Sequence, residues 1–513
     1  MSGRRKTNGA EPVFSIWEVA ALGVAVCSSL GLGFANLGAP SLWHDELVHV
    51  FVGKRIAETG RPELPSGQFY ASGTMFNYVL AGVIAALGDS EAVVRAPAVV
   101  FGAASVVLTF FVIRRLLGRG TAIVAAFSLA LSPWAVAWAR QARYYTLQQA
   151  AYLVAMWIVW RVFSVEDPKR RVVFAVAAFA TYVLGLLCGF QSILFVAPVA
   201  AYGFLMALHT KRWRSHWTGL ACGAVIAGAA TLLFYRLGLP QVDIKAMFDR
   251  GGLGGQFTEV TRQVRGFYLV WLHQNLSAGF FYLALLGFVI MVLKERGRGI
   301  FVVLSFWAPL LALTFLYGYR RPRFMYFAFP FWVAGFSYGL VQLGIAVSRA
   351  RRSWLHGCLA VIILVFGGRL ALSTYHLLGD SIKTASGADV TLARRIPQWR
   401  APCRYVGEHL DSETAVLSTT YLPALYYVGR VDDWFPSRLF QNEYWEIGMP
   451  GLRTVEELEV FMRERPRGYF LAEQQRLAFW ARYCPEERAR LDGRMTRVDE
   501  ACSGDVAVFS WGM

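Results

Sequence analysis

The sequence predicts an α-helical polytopic membrane protein, with about eleven transmembrane helices and a C-terminal extracytoplasmic α/β domain. Three observations carry that expectation. Charged residues make up 17% of the 513, below the roughly 25% of soluble domains. Apolar runs of about 20 residues recur through residues 1–375, each long enough to cross about 30 Å of hydrocarbon. The composition then changes: residues 1–375 hold 34 Lys/Arg against 14 Asp/Glu, and residues 376–513 hold 17 against 20. The net charge of +17 therefore lies among the apolar segments, where it reads as membrane topology. Nucleic acid is excluded as a partner on that ground.

The expected spans are 16–36, 92–113, 120–138, 144–163, 173–190, 192–208, 217–235, 276–293, 300–318, 324–345 and 354–375. Basic clusters fall in alternate connections: Arg4/Arg5/Lys6, Arg114/Arg115/Arg119, Arg161 with Lys169/Arg170/Arg171, Lys211/Arg212/Arg214, Lys294/Arg296/Arg298 and Arg349/Arg351/Arg352. The positive-inside rule makes those connections cytoplasmic. The N-terminus is then inside, and an odd number of spans leaves residues 376–513 outside. Thr74–Gly88 is apolar but has only 15 residues, about 22 Å of helix. It is expected to lie at the outer interface, because as a span it would invert every later loop. The first apolar run is too long for a removed signal peptide and has no small-x-small cleavage site. The organisation is a transmembrane domain, 1–375, with outer loops 37–91 and 236–275, followed by a soluble domain, 376–513.

In the soluble domain strands alternate with helices, the pattern of an α/β layer structure. Strands are expected at Ala415–Thr419, Gly468–Ala472 and Val506–Ser510, and helices at Tyr421–Val428, Thr454–Arg465 and Gln474–Tyr483. Thr454 and Glu457 have capping-box spacing. Cys403, Cys484 and Cys502 fall in this domain; Cys484 and Cys502 form the preferred disulfide pair, closing a loop of about 18 residues. No cysteine spacing matches a zinc site.

Chemistry is sought in the outer segments. Asp45 and Glu46, in Ser41-Leu-Trp-His-Asp-Glu-Leu-Val-His, follow the first span closely. Carboxylates at the edge of hydrocarbon are costly unless they are paired or used. One reading makes Asp45 a helix N-cap with Glu46 in the first turn; the other makes the pair catalytic. Trp43 and His44 beside them suit an interfacial belt or a site. Two short outer loops carry arginines against the positive-inside bias: Arg140-Gln-Ala-Arg143-Tyr144-Tyr145 and Arg320-Arg321-Pro-Arg323. Their guanidinium forks suit an anionic phosphate, although snorkelling to lipid headgroups is the bland alternative. Arg262 and Arg265 are weaker candidates, and Asp432/Asp433 read as solvated turn carboxylates.

Acid and arginines beside hydrocarbon suit a substrate with a lipid tail, a phosphate and a group to be transferred. Moving a sugar from a polyprenyl phosphate to a hydroxyl needs one general base and positive charge on the departing phosphate. The phosphate leaves without an added proton, so a second catalytic carboxylate is unnecessary. No Walker or G-x-G-x-x-G loop is present.

These features resemble the GT-C membrane glycosyltransferases, and in pattern the protein O-mannosyltransferases and the lipid A aminoarabinose transferases. The resemblance rests on Trp43-His-Asp-Glu46 after the first span, Gly88-Asp-Ser-Glu-Ala-Val-Val-Arg95 before the second, Arg140–Tyr145, and Arg323-Phe-Met-Tyr-Phe-Ala-Phe-Pro330. It implies a polyprenyl-phosphate-sugar donor, an outward-facing site and an inverting single displacement. Asp45 would be the base, and Glu46 would orient it or the acceptor. His44, Arg140, Arg143, Tyr144, Arg320, Arg321 and Arg323 would bind substrate. Some relatives hold a divalent cation here, though no spacing in this chain demands one. The acceptor would be a lipid, glycan or protein. The competing reading, a transporter or flippase of lipid-linked sugars, wants a polar path across the bilayer; no expected span carries a central carboxylate.

Overall fold

The computed structural model describes residues 14–209, 266–316, 321–349, 397–435 and 451–513, together with residues 228, 232, 368, 372 and 448. Helix α1 (Ile16–Phe34) opens on a capping box, with Glu18 N–H donating to Ser15 Oγ at 3.2 Å and Ser15 N–H to Glu18 Oε2 at 2.9 Å. Two short helices follow, α2 (His44–Thr59) and α3 (Thr74–Leu87). At 14 residues α3 falls short of the hydrocarbon thickness. Helix α4 (Glu91–Leu117) returns along α1, and its Arg114 meets Glu18 at 2.6 Å in a buried ion pair.

The expected span 120–138 is broken. It consists of α5 (Arg119–Ala130) and α6 (Pro133–Ala139), bent by 57°. Proline is the reason: Pro133 lacks an N–H and forces Ser132 out of the helical region, to ψ 123°. Helices α7 (Tyr145–Ser164), α8 (Pro168–Cys188) and α9 (Val196–His209) match expected segments. The element Ala278–Leu316 covers two more. It reverses at Arg296, whose φ is 46°. Consequently the Phe288 and Phe306 rings stack at 5.9 Å, where an unbroken helix would part them by about 27 Å. A 3₁₀ turn, Pro322–Ala328, leads into the helix Phe329–Arg349. Gly335 and Gly339 of that helix face Gly287 so closely that a Cβ on any of them would strike the opposite backbone or the Phe288 ring, the small-residue packing of membrane helices.

Among the described residues six helices are long and apolar enough to cross a membrane, or seven if the bent pair α5/α6 is one span. The expected segments 217–235 and 354–375 lie outside the described residues. The chain is a multi-pass membrane protein, mostly helical, with a small C-terminal sheet.

That sheet has the order β2-β1-β3-β5-β4, from β1 (Ala415–Ser418), β2 (Asp433–Trp434), β3 (Gly468–Glu473), β4 (Thr496–Arg497) and β5 (Val506–Trp511). Strands β2, β1 and β3 run parallel, while β5 is antiparallel to β3 and β4. Both faces of the central strands are covered, so β1 is buried throughout. Leu417, Phe470 and Phe509 pack under the helices Val455–Glu464 and Gln474–Tyr483. Val416, Leu471 and Val508 pack with Trp399, Cys403 and Val406, at the helix Arg400–Glu408. The Thr454–Glu457 capping box is present, with Glu457 N–H donating to Thr454 Oγ1 at 3.2 Å.

The expected Cys484–Cys502 disulfide is not formed. Cys484 sits at the junction of two helices. The Cys502 sulfur instead closes its own turn, donating to Val498 O at 3.2 Å and accepting Val508 N–H at 3.3 Å. The C-terminal α/β part docks on the segment that leads into α2. Ser41 Oγ accepts the N–H groups of Trp399 and Arg400 at 3.0 and 3.1 Å, and Leu42 N–H donates to the Tyr427 hydroxyl at 2.7 Å. Arg400 pairs with Glu91 at the start of α4.

Candidate active site

The start of α2 decides which member of the acidic pair faces the site. Trp43, not Asp45, holds the N-cap position, and Glu46 at N3 reaches back to accept Trp43 N–H at 3.3 Å. Asp45 is thereby released from the capping role that its sequence position allowed. Its side chain keeps 27% exposure, while Glu46 has none.

Glu46 is consumed by architecture. Both oxygens receive Arg95 at 2.8 Å, and Oε1 also accepts Ala142 N–H at 2.8 Å. Arg95 completes its five donors on the carbonyls of Leu37, Pro40 and Ser41. One buried ion pair thus ties the 37–46 segment to α4 and to the turn before α7. A buried pair persists only when its remaining hydrogen-bonding groups are satisfied, as they are here. The resemblance has Glu46 orient Asp45 or the acceptor; in the structure it is fully buried, with both oxygens taken by Arg95 and Ala142 N–H.

Asp45 joins the two arginine loops. Arg143 and Arg323 both donate through Nη1 to Asp45 Oδ2, Arg323 at 3.0 Å. Arg143 is nearly buried, its guanidinium set over the rings of Trp43 and Tyr145 at 5.5 and 5.0 Å. Its Nε is buried with no hydrogen-bond partner among the described residues. Arg323 rises from the 3₁₀ turn over Phe324. A buried and a partly exposed guanidinium group and one carboxylate therefore meet where the start of α2, the turn before α7 and the 3₁₀ turn converge.

The other expected residues divide. His44 is the first residue of α2, half-buried beside Asp45. Tyr144 is buried, wedged between Gly73 and Gly189, and its hydroxyl donates to Gln191 Oε1 at 3.4 Å. Arg140 is spent elsewhere, since its guanidinium donates to the carbonyls of Leu32, Gly33, Ala35 and Asn36 at the end of α1. These are orphan carbonyls of a helix C-terminus, which attract a cation; Arg140 caps α1 and makes no contact with Asp45 among the hydrogen bonds of its guanidinium. Arg321 precedes the turn, half-buried. Arg320, Arg262 and Arg265 lie outside the described residues. Asp433 opens β2, and Asp432 just before it accepts Val416 N–H at 2.7 Å.

Among the described residues no group of three or more His, Cys, Asp or Glu side chains could hold a metal ion. Arg143 and Arg323 stand on Asp45, and guanidinium groups repel a cation, so this donor set does not fit the divalent ion that the resemblance allowed.

Comparison with solved structures aligns nearly the whole chain. ArnT from Cupriavidus metallidurans bound to undecaprenyl phosphate superposes with a TM-score of 0.63 at 14% identity, covering 96% of this chain and 98% of that one. The chain has the fold of the GT-C glycosyltransferases. The apo form of the same ArnT gives 0.62 at 13% identity, covering 96% and 97%. The Archaeoglobus fulgidus oligosaccharyltransferase tethered to an acceptor peptide gives 0.58 at 14%, covering 95% of this chain and 74% of that one. A family model described as dolichyl-phosphate-mannose-protein mannosyltransferase matches residues 72–235. No curated protein matches by sequence.

Within this GT-C fold the sequence reading missed two things. Arg95, quoted only as a landmark, is the partner of Glu46. His49 was not singled out, though it stands four residues after Asp45 and hence on the same helix face.

Proposed function

We propose that the chain transfers a sugar from a polyprenyl-phosphate-linked donor to an acceptor hydroxyl on the outer face of the membrane. The observation that carries this reading is the meeting of Arg143 and Arg323 on Asp45. The phosphate of the donor competes for the same two guanidinium groups, and the buried Nε of Arg143 offers it one further donor. As the arginines turn to the phosphate, the Asp45 carboxylate is left to the acceptor.

The reaction is an inverting single displacement. The acceptor oxygen attacks the anomeric carbon, and its proton passes to Asp45. The bond from that carbon to the phosphate oxygen breaks, and polyprenyl phosphate departs with the electron pair, its charge held by Arg143 and Arg323. The undecaprenyl phosphate carried by the ArnT structure supports a polyprenyl donor, and the family model supports a sugar linked through phosphate to such a lipid. The acceptor is a lipid, glycan or protein; the peptide tethered to the archaeal enzyme supports the last.

The test compares glycolipids and glycoproteins by mass spectrometry in cells with and without the chain. One glycan species should vanish in its absence while its polyprenyl-linked sugar accumulates. Unchanged glycans beside an accumulated lipid-linked sugar on one leaflet alone would instead identify a transporter.

A further inference from the structure

Beside the arginines lies a fully buried histidine that the reaction above does not use. His49 stands one turn beyond Asp45 on α2, on the face opposite Phe51, whose ring meets Tyr426 of the soluble part. Its own neighbours come from the membrane part: the rings of Tyr70, Phe76 and Tyr144 stand edge-on around it at 5.7, 6.0 and 5.5 Å. Gly73, at φ +67°, comes so close that a Cβ would press on His49 Cε1 and on the Tyr144 ring.

The proton on this imidazole is assigned by its partner. Asn77 Nδ2 donates to Ser72 O at 3.1 Å, which fixes the amide so that Oδ1 faces His49 Nδ1 at 2.7 Å. A carbonyl oxygen accepts only, so Nδ1 carries the hydrogen and Nε2 bears a lone pair. Burial, with Arg143 adding to it, pushes the imidazole down to about 3, so the ring stays neutral. Among the described residues Nε2 is buried without a hydrogen-bond partner. Buried acceptors in native structures are satisfied or have a use.

We infer that His49 Nε2 accepts a hydrogen bond from a hydroxyl of the donor's sugar, making His49 a sugar-binding residue of this site. The inference rests on the glycosyl-transfer reading. The donor is taken as the source of the hydroxyl because His49 lies among rings of the membrane part and next to Arg143, which the donor phosphate would occupy, whereas the opposite face of α2 meets Tyr426. A site built to accept from a hydroxyl rejects ligands that lack it, because the buried acceptor is then left unpaired.

Binding to the full-length protein in nanodiscs tests this, with bare polyprenyl phosphate as one probe and polyprenyl phosphates carrying a hexose, an aminosugar or a pentose as the others. The wild type should bind one of the sugar-bearing lipids more tightly than the bare lipid. His49→Phe, which keeps the ring volume, should abolish that preference, a loss of tenfold or more, and leave affinity for bare polyprenyl phosphate unchanged. His49→Gln, whose amide reaches the place of Nε2, should restore most of it. Equal losses for bare and sugar-bearing lipids, no loss at all, or a Gln variant no better than Phe would each overturn the assignment. Wild-type protein that binds neither kind of lipid would instead overturn the donor reading, and the His49 assignment with it.

Discussion

Asp45 and Arg323 stand 278 residues apart in the chain, and their side chains meet at 3.0 Å. Arg143 reaches the same carboxylate oxygen from a third loop. The convergence gives Asp45→Asn a definite outcome. Asn keeps the shape and can still accept hydrogen bonds, and the N-cap of α2 belongs to Trp43 in any case. The variant should insert and fold as the wild type does. Turnover should fall by roughly 10²–10⁴, the usual worth of a general base. Purified Asp45→Asn protein that transfers sugar at the wild-type rate would remove Asp45 from the base role.

Arg143 and Arg323 should act on the donor rather than on the acceptor. Lysine preserves the charge but not the fork, so Arg143→Lys should weaken donor use by about tenfold at limiting donor. The Arg143→Ala/Arg323→Ala double variant should lose saturation by the donor, while the apparent KM for the acceptor moves little. Steady-state kinetics with each substrate varied in turn separates the two. Full activity of the double variant at limiting donor would return both residues to lipid anchoring.

The proposal divides the acidic pair into a base, Asp45, and a structural residue, Glu46, and stability measurements should register the division. Glu46→Gln leaves the buried Arg95 guanidinium uncompensated, with side-chain exposure of 1%. Breaking such a pair on one side costs about 3–5 kcal/mol. The thermal midpoint of the solubilised protein should drop clearly for Glu46→Gln and for Arg95→Met, and hardly at all for Asp45→Asn. A Glu46→Gln protein with a normal midpoint and lost activity would reverse the assignment of the two carboxylates.

The legible part of this molecule was its periodicity and punctuation. Apolar length located the long helices among the described residues, and the alternating strands and helices of the tail placed β1, β3 and β5 nearly to the residue. The rupture at Pro133 was also written in the sequence, yet hydropathy passes over it because both halves are apolar. Arginines set against the positive-inside bias drew attention to Arg143 and Arg323, which both meet Asp45. They could not distinguish these from Arg140, since capping α1 and gripping Asp45 call for the same residue type at adjacent positions. The division of labour between Asp45 and Glu46 was hidden for another reason. It turns on which carboxylate Arg95 captures, a contact across 49 positions of sequence.

Orientation in the membrane is the last prediction. Basic clusters at Arg114/Arg115/Arg119 and Lys294/Arg296/Arg298 should be cytoplasmic by the positive-inside rule. The structure supplies the geometry at both. Helices α4 and α5 meet at Gly118, a glycine with φ +94°, and the Ala278–Leu316 element reverses at Arg296. Each is a tight hairpin tip, so its flanking helices must enter and leave on one side. Asp45 lies beyond α1, at the opposite end from Glu18, which is pinned to Arg114. If Gly118 is inside, the site is outside, together with the C-terminal α/β part that docks on Ser41 and Leu42. Reporter fusions after Gly118 and after Gly297 should be active only with a cytoplasmic reporter, and a fusion after Met513 only with an extracytoplasmic one. A cytoplasmic reporter active at Met513 would place Asp45 on the inner face and overturn the scheme.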